Sequence, residues 1–126
     1  MESETLLLRQ IHPSFVQNGR PTSQAFRPTP KDEWLLSVED GSRIQPTASW
    51  ERFTASADRR SAGVMAITPA ECSAEALPVI EDGMPFPEHC SVDFSSLTMN
   101  SVEKKAKILT RHAVKRDWLF RDFQQA

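Results

Sequence analysis

Short apolar runs, each cut off by a proline or a turn signal, set what this chain can build. Thr5 to Ile11 is apolar apart from Arg9 and Gln10 and stops before Pro13, which suits a short strand. Asn18-Gly19 is a turn dipeptide, because both residues tolerate positive φ. Ser23 to Arg27, closed by Pro28 and Pro30, reads as a second strand, and Trp34 to Val38, ended by Glu39-Asp40-Gly41, as a third. The first 41 residues therefore predict a meander of short strands.

Helical spacing enters after Pro46. Thr47 is placed to cap a helix whose Trp50, Phe53 and Ala57 would face a core. Ala62 to Ile67 reads as a buried strand, with Gly63 marking a bulge or a close backbone approach. Thr68-Pro69-Ala70-Glu71 combines a cap residue, a proline at the first helical position and a glutamate that completes a capping box. That helix should end near Glu75, ahead of Pro78, and Leu77 to Ile80 returns as a strand. Glu81 to His89, with Gly83, Pro85 and Pro87, reads as an irregular loop. Cys90 to Phe94 alternates as a half-buried strand, Cys90, Val92 and Phe94 facing inward. Asn100 can cap a last helix, with Glu103 at its third position, in which Val102, Ala106, Leu109 and Ala113 form one apolar stripe. Trp118, Leu119 and Phe120 then anchor the end of the chain. Short connections with few helices predict one α+β domain over residues 1–126: a small, mainly antiparallel sheet with two or three helices, the longest at the C-terminus.

The bulk composition narrows the class. Hydrophobic residues make up 39% and charged residues 25%, which is ordinary for a chain with a folded core. No apolar run approaches the roughly 20 residues that cross a bilayer. The start, Met-Glu-Ser-Glu, lacks the basic and apolar regions of an export signal. The two cysteines, Cys72 and Cys90, are then expected as free thiols in a reducing, cytoplasmic setting. The net charge of −2 hides an asymmetry: residues 1–99 hold 8 Lys/Arg against 14 Asp/Glu, while residues 100–126 hold 7 against 3.

The chain contains no phosphate loop, dinucleotide fingerprint, Cys-x-x-Cys pair or nucleophile elbow, so no cofactor is expected. Its possible metal ligands, His12, Cys72, His89, Cys90 and His112, are scattered, and no metal is assigned. One cluster stands out early. Arg9, His12, Arg20 and Arg27, with Ser23 among them, offer guanidinium forks for phosphate or carboxylate and an imidazole for proton transfer. The same arginines could instead pair with Asp32, Glu33, Glu39 and Asp40. Arg9 or His12, Ser23 and Glu71 also occur in an order similar to that of ADP-ribosyltransferase-like toxins, which carry Arg or His, then Ser, then Glu on successive strands. That likeness is one of site type and implies a nucleotide or phosphate-bearing substrate. The capping box accounts for Glu71 without catalysis.

The last helix offers a second surface. Lys104, Lys107, Arg111 and Lys115 step by three, four and four along one side, widened by Lys105, His112 and Arg116. Such a row attracts nucleic-acid phosphate or an acidic protein, or simply keeps a surface solvated. The leading expectation is a small accessory protein acting through a protein partner. The alternatives are an enzyme or toxin using the N-terminal arginine and histidine cluster, and nucleic-acid binding by the basic helix.

Overall fold

In the computed structural model, which describes residues 1–124, the first strand is β1 (Leu7–Ile11). Asn18 and Gly19 both take positive φ, 53° and 77°, and close a hairpin of only two residues per arm, β2 (Val16–Gln17) and β3 (Arg20–Pro21). β4 (Leu35–Asp40), helix α1 (Pro46–Thr54), β5 (Gly63–Ile67) and the short helix α2 (Pro69–Ala74) follow. The chain then continues through β6 (Val79–Ile80), β7 (His89–Asp93), helix α3 (Met99–Arg116) and β8 (Phe120–Arg121). The main sheet has the order β6-β7-β4-β1-β5-β8, and its pairings are antiparallel. Its two edge strands are two residues long. The fold is α+β, with the longest helix at the C-terminal end.

Side chains alternate across the sheet, so each strand serves two faces. Leu7, Ile11, Leu36, Val38, Met65 and Ile67 meet the stripe of α3, in which Val102, Leu109 and Ala113 are buried. This layer is the main core. On the other face Leu8, Val64 and Ala66 pack against Trp50, Leu119 and Phe120. There α1 lies over β1, β5 and β8 and leaves the β4–β7 half uncovered by a helix. No helix among the described residues is long and apolar enough to cross a membrane.

Several local expectations need correction. Ser23 to Arg27 is not a strand: Ser23–Phe26 is a 3-10 turn, with Ala25 N donating to Thr22 O at 3.1 Å and Arg27 N to Gln24 O at 3.3 Å. The hairpin ends at Pro21, which has no N–H to extend a ladder, and the turn instead drops Ala25 and Phe26 into the core beneath α3. Glu39 and Asp40 belong to β4; the chain turns at Gly41, where a Cβ would stand 2.6 Å from Leu6 O. Helix α1 starts at Pro46 rather than from a Thr47 cap, because proline presets its first turn; it stops at Thr54 and leaves Ala57 exposed. His89 joins β7 instead of the preceding loop, Ser91 is buried beside Cys90 and Val92, and Phe94 is buried just past the strand end. The cap of α3 is Thr98, accepting from Ser101 N, and not Asn100. Gly63 marks a close approach: a Cβ there would lie 2.3 Å from Phe120 O, in the strand that pairs with it.

Candidate functional site

The site grows from a gap in the sheet. β1 pairs with β5 at five positions but with β4 only at Leu7↔Asp40 and Leu8↔Glu39, so β1 and β4 part beyond Leu8. Arg9 fills the opening. Its Nε donates to Ala25 O at 2.9 Å and its Nη1 to Ser37 O at 3.0 Å. Burial lowers the Arg9 pKa to about 10, against the pull of Asp32, so the side chain stays cationic at neutral pH. Both acceptors are neutral carbonyls, and among the described residues it makes no salt bridge.

Over this gap and the uncovered half of the sheet lies a cleft of about 710 Å³. Leu8, Gln10, Ser37, Glu39 and His89 form its floor; Ser49, Arg52 and Phe53 of α1 make one wall, and Pro85 and Phe86 the other. Arg59 and Arg60 stand at the rim, and His12, Phe15, Pro28 and Asp32 line the far end. A relay of hydrogen bonds fixes the floor. Ser61 Oγ donates to Gln10 Oε1 at 2.7 Å, Gln10 Nε2 donates to Ser49 Oγ at 2.9 Å, and Ser49 Oγ donates to Glu39. Arg52 bridges Glu39 and Glu88 and lies 3.7 Å from the centre of the Phe86 ring. Its hydrogen bond is the main reason the Glu88 pKa is lowered. Arg59 stacks over Phe53 at 5.4 Å and makes no salt bridge among the described residues.

Beside the cleft, Asp82 accepts from Ser91 Oγ at 2.6 Å and pairs with His89 Nδ1 at 2.6 Å. Burial alone would raise the Asp82 pKa; the hydrogen bonds from His89 and Ser91 outweigh it and hold the carboxylate low. This is not the arrangement of a nucleophilic serine, because the hydroxyl serves the acid rather than the imidazole and Ser91 is only 3% exposed. Burial also pushes the Cys72 and Cys90 thiols up, to about 12 and about 11, so neither supplies a thiolate near neutral pH. Among the described residues, no three His, Cys, Asp or Glu side chains gather as metal ligands.

The N-terminal cluster is divided. Arg9 and His12 line the cleft, and His12 Nδ1 accepts from Ser14 N at 3.1 Å to cap the turn at Pro13–Phe15. Arg20 lies at a second, smaller cleft, Arg27 pairs with Glu103 of α3 at 3.2 Å, and Ser23 lines neither cleft. Glu71 sits in the α2 cap and not on a strand. Its Oε1 accepts from Thr68 N at 2.9 Å, and Arg116 and His112 approach its Oε2 at 2.7 and 3.3 Å. Burial would raise its pKa, but the hydrogen bond and charge of Arg116 prevail and lower it. Arg9, Ser23 and Glu71 therefore share no cleft.

On α3, Lys104, Lys107, Arg111 and Lys115 are exposed and make no ion pair among the described residues. Lys105, His112 and Arg116 do not widen this row: Lys105 turns to Glu75, and the other two to Glu71. The sequence reading missed Arg52, Phe53, Arg59, Arg60 and Phe86. The Arg59-Arg60 pair following an amphipathic helix was the one local signal available. Compared with known proteins, the chain matches no family model, no curated protein sequence and no solved structure.

Proposed function

We propose that this chain is a small accessory protein without catalysis of its own, and that its larger cleft holds an acidic segment of a protein partner. The observation that carries this reading is the charge of the lining. Arg9, Arg52, Arg59 and Arg60 face Asp32 and Glu39 there, in a molecule whose net charge is −2. Among the described residues Arg9 and Arg59 make no salt bridge, and Phe15, Phe53 and Phe86 add apolar surface beside them. The protonated thiols and the serine committed to Asp82 support binding over chemistry. A cytoplasmic setting belongs to the same proposal and is supported by two free, buried cysteines.

The test uses synthetic peptides graded from acidic to basic, with binding read by fluorescence anisotropy. Acidic peptides carrying an aromatic residue should bind, more weakly as salt rises, and Arg59→Glu should weaken them about tenfold or more. Equal binding of acidic and basic peptides, or unchanged binding by Arg59→Glu, would refute the reading.

A second reading rests on α3, whose Lys104, Lys107, Arg111 and Lys115 present four exposed cations at helical spacing, with no ion pair among the described residues. Nucleic-acid binding through this row predicts a steep loss of affinity with salt. No binding of duplex or single strands at low salt excludes it.

A further inference from the structure

The smaller cleft, about 340 Å³, lies where the β2–β3 turn meets the end of α3 and β8. Arg20 and Arg121 both line it, and neither makes a salt bridge among the described residues. Arg121 is held firmly all the same. Its guanidinium lies 5.1 Å from the Trp118 ring and 5.0 Å from the Phe123 ring. Trp118 is fixed in turn, its Nε1 donating to Gly19 O at 3.1 Å. The Arg121 Nη atoms stand 3.5 and 3.6 Å from where a Cβ on Gly19 would project, so the head group lies over the glycine turn. Its Nε is buried with no acceptor among the described residues. A guanidinium placed by aromatic stacking and given no acceptor leaves its donors for something from outside.

Two unpaired guanidinium groups on one small cleft narrow the ligand chemistry. A carboxylate is satisfied by one guanidinium fork, whereas the terminal oxygens of a phosphate dianion can engage two. Asp117, in the same cleft, would repel a bare anion. Its Oδ1 already accepts from Trp118 N at 2.8 Å, and the carboxylate has capacity to accept further from a hydroxyl of the ligand. We infer that this cleft binds a small, hydroxyl-bearing phosphomonoester, with its phosphate between Arg20 and Arg121. The site is separate from the arginine cleft assigned to a partner, and neither assignment depends on the other.

The test follows the Trp118 indole N–H and the Gly19 amide by NMR on the full chain, titrated with glycerol phosphate at constant ionic strength. A saturable shift of both signals is expected, with inorganic phosphate binding more weakly. Arg20→Ala, at an exposed position, and Arg121→Lys, which keeps the charge, should each weaken binding about tenfold or more. Arg20→Ala should leave acidic-peptide binding unchanged, which separates failure here from failure of the partner cleft. Three results would overturn the inference: no saturable shift, equal shifts with acetate, or undiminished binding in both variants.

Discussion

The two faces of the central sheet are built from alternate residues of the same strands, yet they do different work. On one face α3 lays Val102, Leu109 and Ala113 against Leu7, Ile11, Met65 and Ile67, and every one of these side chains is buried. On the other, α1 packs over β1, β5 and β8 and reaches β4 through Ser49 and Arg52, which bond Glu39. Beyond its edge the floor changes to Gln10, Ser37 and Glu39, and the walls to arginine and phenylalanine. The apolar face gains from excluding water and sets stability. The half-covered face keeps its polar groups satisfied by one another, through the Ser61, Gln10, Ser49 and Glu39 relay, and leaves a cleft open above them.

Three substitutions probe that division, beginning with the largest effect. Leu109→Ala, in the middle of the α3 stripe, should cost about 3 kcal/mol in urea denaturation, from lost burial and the cavity left behind. A loss under about 1 kcal/mol would show that this face is not the principal core. Glu71→Gln keeps the cap geometry but removes the charge that Arg116 meets, and should cost about 1–2 kcal/mol at pH 7. Because the folded pKa of Glu71 lies below its ordinary value of 4.5, its contribution is complete above that value and fades as pH falls through the folded pKa. The gap between wild type and variant should therefore narrow below about pH 4; a gap constant from pH 7 to 3 contradicts the assignment. Phe53→Ala, in the open cleft, should cost less than about 1 kcal/mol, since its ring is half-exposed and stacks with Arg59 at the rim. A cost equal to that of Leu109→Ala would erase the distinction between the faces.

Features written in neighbouring residues were legible beforehand. The Thr68 to Glu71 capping box, the Asn18-Gly19 turn and the α3 stripe each depend on contacts within a few positions, and each formed as the spacing predicts. Some misreadings were local, as at Pro46 and the Thr98 cap, and the larger one came from tertiary packing. Ser23 to Arg27 carries the apolar content of a strand, but Pro21 ends the hairpin ladder and Phe26 is drawn under α3. The clefts were illegible for a different reason: Arg9, Arg52 and His89 meet only once β1, α1 and β7 are in place, and Arg20 meets Arg121 across nearly the whole chain. Arginines near one another in sequence, Arg9, Arg20 and Arg27, were sent to three different neighbourhoods.

The sheet ends on both sides in strands of two residues, β6 and β8. A strand from another molecule would find almost no free backbone there to pair with. With a net charge of −2, copies of the protein repel one another only weakly, so charge does little to keep them apart in a crowded solution. The abbreviated edges supply that protection instead, by denying self-association its backbone template.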